Sequence, residues 1–130
     1  MLTRKLFVSC LAAACLLLAS AAQALTILPY SAQAFTKAQA SGKPVAVAFH
    51  ASWCPTCRAQ DMVFKQFKND PDLRDVTILN ANYDTEKALE KRMKIRMQST
   101  IVVFMGKQEV ARSAGVTDPA DLKSTLLFGM

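Results

Sequence analysis

Two cysteines separated by two residues carry the clearest chemistry in this sequence. Cys54 and Cys57 lie between a short apolar run, residues 45–49, and a segment with helical apolar spacing, residues 55–67. A strand leading into a helix would place Cys54 at the N-cap and Cys57 at the third helical position, where unpaired amides and the helix dipole favour a thiolate. The spacing predicts dithiol–disulfide exchange, in which Cys54 attacks a disulfide and Cys57 resolves the mixed disulfide.

The same spacing also forms half of a zinc site, or a small structural disulfide. Beyond residue 24 the chain has no cysteine other than this pair, and its one histidine is His50, so the usual four ligands of structural zinc are missing. A bridge across so short a loop would restrain little of the unfolded chain. Redox catalysis without a metal or other cofactor is therefore the favoured interpretation.

Copper binding is the second function that these residue types allow. The thiols of Cys54 and Cys57, with the imidazole of His50 or the thioether of Met97, are soft ligands that suit Cu(I). A protein that holds copper for delivery would bind Cu(I) stoichiometrically and show negligible disulfide reductase turnover.

Several residues beside the cysteines are expected to surround the site. Pro55 suits the first helical turn because it lacks an N–H and its φ is already helical, and Thr56 is the other residue between the cysteines. Trp53 is expected to flank the active-site surface. His50 lies four residues before Cys54 and is expected at a partly exposed strand end, from which it could tune the thiolate.

The N-terminal segment, residues 1–24, has the pattern of a signal peptide. Arg4 and Lys5 precede an apolar run at residues 6–19, and Ala22-Gln23-Ala24 forms a small-x-small cleavage site. An uncleaved membrane anchor is the competing interpretation, because the run is nearly long enough to span a bilayer. We predict cleavage after Ala24 and a periplasmic location.

Length and charge limit what the rest of the chain can be. Residues 25–130 suit one compact domain with a single core, and we expect it to be a monomer. The net charge of +6 includes two basic residues of the signal segment, and the basic cluster at residues 87–96 has no interleaved aromatic residues. Nucleic acid is therefore not an expected partner.

Apolar periodicity and capping residues predict the elements that position the cysteines. They give helices at residues 31–41, 55–67, 85–94 and from 118 onward, and strands at residues 45–49, 76–82, 101–105 and 109–113. The predicted order is α-β-α-β-α-β-β-α. This alternation predicts an α/β fold, and the continuous apolar run at residues 45–49 is typical of a strand buried on both faces.

Two segments resemble the thioredoxin family. Residues 45–60, VAVAFHASWCPTCRAQ, are similar to its strand, turn and helix with Trp-Cys-x-x-Cys, and residues 94–110, KIRMQSTIVVFMGKQEV, are similar to its cis-proline loop, strand and hairpin. The resemblance spans most of residues 31–127. It implies a thioredoxin-like three-layer α/β/α sandwich with a central mixed sheet, and protein-disulfide oxidoreductase activity.

The tetrad CPTC followed by RA resembles periplasmic oxidoreductases of the cytochrome c maturation type, which act as reductants. That resemblance implies exchange with exported proteins that carry disulfides or thiols. It also implies an electron donor at the membrane.

Two residues depart from the family pattern. Ala48 stands where thioredoxins keep a buried acid six residues before the first cysteine, so the usual proton acceptor for the resolving thiol is missing. Ser99 stands in place of the cis-proline, and because a non-proline cis bond costs about 2.5–4 kcal/mol, we predict a trans peptide between Gln98 and Ser99. The Ser99 hydroxyl is expected to donate to the thiolate, and Ser99→Pro is expected to raise reductase activity.

Overall fold

The structure, a computed structural model, describes residues 24–128. The elements are β1 (Thr26–Pro29), α1 (Ala32–Ala40), β2 (Val45–His50), α2 (Pro55–Phe67), β3 (Thr77–Asn82), α3 (Lys87–Met93), β4 (Thr100–Met105), β5 (Gln108–Ala114) and α4 (Pro119–Leu127), with a short 3₁₀ turn at Pro71–Leu73. None of the helices in this part of the chain has the length and apolar content that a bilayer crossing needs.

The strands form one mixed sheet in the order β1-β3-β2-β4-β5. β3 runs parallel to both β1 and β2, whereas β4 runs antiparallel to β2 and to β5. β2 therefore lies in the middle of the sheet, and five of its six residues are buried. This burial on both faces confirms the prediction made from its continuous apolar run.

Helices cover both faces of the sheet. On one face, Ala46 and Ala48 of β2 pack against Val63 and Phe64 of α2, in a core that also includes α4. On the other face, the alternate residues of β2 pack in a second core with Leu89 of α3 and residues of α1. This three-layer arrangement confirms the predicted α/β/α sandwich with a central mixed sheet.

The strand β1 is absent from the predicted element order, which is a correction to it. β1 has only four residues, ends at Pro29 and has no fully buried residue. Its sequence therefore shows neither the alternating apolar pattern nor the continuous apolar run that indicates a strand. The structure creates it through backbone pairing with β3, in the register Thr26 with Thr77. The remaining predicted elements are all present, with α3 shorter at both ends than residues 85–94. Residues 1–23 of the predicted signal segment lie outside the described residues.

Candidate active site

The cysteines lie where β2 gives way to α2. After β2 ends at His50, the amide of Cys54 donates to the carbonyl of Ala51 at 3.1 Å, which turns the chain into the helix. Cys54 is the N-cap, with extended φ and ψ of −90° and 113°, and its sulfur accepts from the amide of Cys57 at 3.1 Å. The cap arrangement is therefore the one that the spacing predicts, with a sulfur atom in the position usually taken by a capping oxygen.

Burial sets the protonation of Cys57. Both cysteines are free thiols with 1% of their surface exposed, and the Cys57 sulfur lies 3.9 Å from the carbonyl oxygen of Phe49. Desolvation, followed by the hydrogen bond with Cys54, raises the pKa of Cys57 from 9.0 to about 11, although backbone hydrogen bonds from Ala51 and Ser99 oppose the change. Cys57 is thus a protonated thiol at neutral pH, and a base is needed before it can attack a disulfide.

Trp53 forms the exposed edge of the site. Its side chain is 53% exposed, and Nε1 donates to both carboxylate oxygens of Asp84 at 3.1 Å. The indole also meets the Tyr83 ring edge to face, with centroids 6.5 Å apart. Pro55 occupies the first helical turn and is exposed, whereas Thr56 is half-buried. These contacts hold a large exposed apolar side chain next to Cys54 in the chain.

The backbone of Ser99 lies beside the Cys57 thiol. The peptide between Gln98 and Ser99 is trans, as predicted, and Ser99 adopts a left-handed φ of 62°. Its amide donates to the Phe49 carbonyl at 2.8 Å, and its carbonyl accepts from the Gly115 amide at 3.1 Å. The expected hydroxyl contact with the thiolate is wrong, because the left-handed backbone turns the Ser99 hydroxyl toward the carbonyl of Gln98, to which it donates.

Gln60 is a site residue that the sequence analysis missed. Its side chain is 3% exposed, and Nε2 donates to the carbonyls of Ser99 at 3.1 Å and Val116 at 2.8 Å. Gln60 thereby connects α2 to the Ser99 loop and to the loop before α4. A signal was present in the sequence, since Gln60 is a polar residue in the same helical row as the buried Val63 and Phe67.

His50 is bound to an acid that the sequence analysis also missed. His50 lies at the end of β2 with its side chain 29% exposed, and its Nε2 is 2.8 Å from Oδ2 of Asp61 on α2. Met97 is exposed near the start of the Ser99 loop. Within residues 24–128 no group of three or more His, Cys, Asp or Glu residues could hold a metal ion. Copper binding therefore stays a prediction, and the positions of His50 and Met97 add no support for it.

Comparison with known proteins gives the family. The sequence model described as Thioredoxin matches residues 26–127. This chain belongs to the thioredoxin family. A thioredoxin of Coprinus comatus is 28% identical over 90 residues, which are 69% of this chain and 84% of that protein.

Solved structures agree with the thioredoxin assignment. The crystal structure of Trxlp from Edwardsiella tarda EIB202 is 40% identical, with a TM-score of 0.74, and the match covers 78% of this chain and 98% of that one. The thioredoxin of Malassezia sympodialis matches at a TM-score of 0.68 and 24% identity, over 78% of this chain and 90% of its own, which shows the shared fold. The chain is accordingly a thioredoxin-like thiol-disulfide oxidoreductase with Cys54 and Cys57 as its Cys-x-x-Cys pair.

Proposed function

We propose that this thioredoxin-family protein is exported to the periplasm and reduces disulfides in other exported proteins. The observation that carries the proposal is the contact between the Cys57 amide and the Cys54 sulfur at the start of α2. That amide and the helix dipole favour negative charge on the sulfur of Cys54, so Cys54 is the attacking group. Cys57 lies one turn further into the protein and is the resolving group.

The reaction proceeds in two exchanges. The Cys54 thiolate attacks one sulfur of the substrate disulfide, a bond forms between Cys54 and that sulfur, and the other substrate sulfur leaves as a thiolate that takes up a proton. Cys57 then loses its proton and attacks Cys54, which releases the second substrate sulfur. The substrate gains two electrons, and Cys54 and Cys57 end as a disulfide.

The environment of Cys57 supports the reducing direction. A dithiol is a strong oxidant when its reduced form is stabilised, as happens when a thiolate is held ionised. Burial does the opposite for the second thiol, because it raises the pKa of Cys57 to about 11 and so adds no second thiolate to the reduced form at neutral pH. The resemblance of CPTC to periplasmic reductants points the same way.

The proposed location and partners rest on the sequence. The charged, apolar and small-residue pattern of residues 1–24 is typical of a secretory signal. A reductant in the periplasm needs a source of electrons, so we propose an electron donor at the membrane as one partner. Exported proteins with disulfides are the other partners, and the protein acts as a monomer.

A trapping experiment tests the exchange reaction. Exported Cys57→Ala protein should accumulate mixed disulfides on Cys54, because the resolving thiol is gone, and these adducts should disappear on reduction. The double variant Cys54→Ala, Cys57→Ala is the control and should trap nothing. Recovery of equal adducts from both variants, or of none from either, would contradict the proposed reaction.

Export and direction are measured separately. The mass of the protein recovered from the periplasm should correspond to a chain that begins at Leu25, and replacement of Ala22 and Ala24 by leucine should prevent cleavage. Equilibration with glutathione should give a reduction potential near the roughly −270 mV of thioredoxin and well below the roughly −120 mV of a strong oxidant. A potential near the second value would reverse the proposed direction.

A further inference from the structure

The resolving step needs a base that the known pattern of this family does not provide here. Cys57 is a buried thiol whose pKa is raised to about 11, so hydroxide alone would remove its proton slowly at neutral pH. Ala48, which stands at the position of the family's buried acid, is a core residue with 4% exposure. Its partner across the sheet is Asn80 of β3, an uncharged residue.

His50 lies on the same face of β2 as Ala48. Side chains alternate along a strand, so Ala48 and His50 both point toward the layer that contains α2. Ala48 packs in the core shared with α2, and the ring of His50 reaches Asp61 on that helix at 2.8 Å. β2 therefore carries an imidazole at position 50, two residues closer to the active-site edge of the sheet than position 48, where the family has its acid.

Asp61 lies one helical turn after Cys57. Residues four apart share a helix face, with their Cβ atoms about 5–6 Å apart, so Asp61 and Cys57 both face the end of β2. The Cys57 sulfur lies beside the carbonyl of Phe49, which is the residue directly before His50. The His50–Asp61 pair and the Cys57 thiol thus both lie where the end of β2 contacts α2.

A pocket opens to solvent beside His50. It has a volume of about 180 Å³ and is lined by residues that include His50, Ser52 and Asn80. This volume is enough for several water molecules. The buried Oδ1 of Asn80 has no hydrogen-bond partner among residues 24–128, and a water molecule in the pocket is the partner that such an atom takes.

We propose that the His50–Asp61 pair accepts the proton of Cys57, through one water molecule, when Cys57 attacks the mixed disulfide. With Nε2–H donating to Asp61, the lone pair of Nδ1 is available as the base. The proton passes from the Cys57 sulfur to Nδ1, and the Asp61 carboxylate compensates the charge gained by the ring. As the Cys54–Cys57 bond forms, the bond from Cys54 to the substrate breaks, and the departing substrate thiolate takes up one proton.

The charged groups near His50 together determine how this step depends on pH. Asp61 faces the ring from α2, and Asp84 lines the pocket from the chain after β3. Nη1 of Arg58 on α2 donates at 3.3 Å to the carbonyl of Ser52, a residue that lines the pocket. The charged groups around this pocket thus include two carboxylates and one guanidinium.

The inference rests on the dithiol exchange of the family and is independent of the proposed location and direction. The probe is 5,5′-dithiobis(2-nitrobenzoate), mixed with the reduced full chain in a Cys10→Ser, Cys15→Ser background. The first equivalent of thionitrobenzoate reports attack by Cys54, and the second reports resolution by Cys57. The two phases are followed by stopped-flow absorbance from pH 6 to pH 10.

Two variants on different elements, His50→Ala and Asp61→Asn, should slow the second phase about ten-fold or more at pH 7 and leave the first phase unchanged. The slow phase should recover toward the wild-type rate as the pH rises, and added imidazole should restore His50→Ala at pH 7. Asp75→Asn is the matched control, since it removes a carboxylate that pairs with Lys43 away from the cysteines. This control should leave both phases unchanged.

Several outcomes would overturn the inference. An unchanged second phase in both variants would do so, as would equal slowing at every pH without imidazole rescue, since a purely structural effect has that form. If His50→Ala fails to fold, Asp61→Asn decides, because its side chain is 34% exposed and its removal leaves the core intact. Absence of the first phase in the wild-type protein would instead contradict the assignment of Cys54 as the attacking thiol.

Discussion

Burial gives Cys57 an effect on stability that depends on pH. In the folded protein the pKa of this thiol is raised from 9.0 to about 11, chiefly by desolvation. A group whose pKa is raised on folding stabilises the native state fully below its unfolded pKa and loses that contribution as pH rises through the folded value. We expect the free energy of unfolding of the reduced protein to fall between about pH 9 and pH 11, by at most about 1.4 kcal/mol per pH unit.

The measurement is urea unfolding of the reduced wild-type protein and of Cys57→Ala at several pH values in that range. The tyrosines and lysines are the same in both proteins, so their titration cancels in the difference between the two stabilities. In Cys57→Ala, most of this fall in the free energy of unfolding with pH should be absent. Parallel curves for the two proteins would show that Cys57 ionises equally easily in the folded and unfolded states.

Ser99 shows how a single backbone conformation can reverse an expectation. The resemblance suggests that Ser99→Pro would raise activity, yet the amide of Ser99 donates to Phe49 at 2.8 Å and its φ is 62°. Proline has no amide hydrogen and holds φ near −65°, so it fits neither requirement. We expect Ser99→Pro to lower the free energy of unfolding by about 3 kcal/mol or more and to lower reductase activity with it.

Ser99→Gly is the matched variant, because glycine adopts a positive φ readily and keeps the amide donor. Its thermal midpoint should stay close to that of the wild-type protein, whereas that of Ser99→Pro should fall. A stable and more active Ser99→Pro protein would require the loop to adopt a different backbone conformation from the one described.

At the scale of the elements, Gln60 holds three segments together. It links α2, the Ser99 loop and the loop before α4 through two hydrogen bonds. Gln60→Leu keeps a side chain of similar size but removes one donor from the buried Ser99 carbonyl and from the half-buried Val116 carbonyl, which costs about 1–3 kcal/mol. Gln66→Leu, on an exposed position of the same helix, should change the free energy of unfolding by less than about 0.5 kcal/mol.

Hydrogen exchange should locate the effect of Gln60→Leu. The amides of Ser99 and Gly115 should exchange faster in this variant, since the loop that contains them has lost one of its attachments, while amides in the middle of β2 keep their protection. Equal exchange of all these amides in Gln60→Leu and Gln66→Leu would mean that Gln60 does not restrain the loop.

The elements found from the sequence are those with a local signal. The helix α2 is visible because its cap, its proline and its apolar row are adjacent in the chain, and β2 is visible as a continuous apolar run. The strand β1 has no such signal, because its structure depends on pairing with β3 about fifty residues later.

The same reason explains which parts of the site were missed. Cys54 and Cys57 interact across one helical turn, so their spacing reveals the contact. His50 and Asp61 are 11 residues apart, and Gln60 and Val116 are 56 apart. Contacts of that kind depend on how α2 packs on the sheet, and side-chain spacing in the sequence does not show them.

At the scale of the whole molecule, the mixed sheet brings the site together at one edge. The parallel strands β2 and β3 end there, and the antiparallel β4 begins there, directly after Ser99. Chemistry in open α/β sheets commonly lies beyond the carboxyl ends of the strands. The cysteines, the His50–Asp61 pair and the Ser99 loop therefore come from separate parts of the chain and meet because of the strand order.

The strand order also makes β1 part of the folded unit, although it lies far from the cysteines. A chain that begins at Leu25 keeps all of β1 and the buried Leu25 side chain, which is 4% exposed. A chain that begins at Ser31 loses both, together with the hydrogen bond from the Tyr30 amide to the Asn80 carbonyl. Burial of one leucine contributes about 1.5–3 kcal/mol, and the lost strand pairing adds to the cost.

We therefore expect the chain starting at Leu25 to unfold in urea at the same midpoint as the full chain, and the chain starting at Ser31 to unfold at a clearly lower one. Leu25→Ala in the longer chain separates the two causes, because it removes the buried side chain and keeps the strand pairing. Its midpoint should fall between the other two. If the chain starting at Ser31 were as stable as the longer one, β1 would contribute nothing to the stability of the fold, and the thioredoxin-like core would be complete without it.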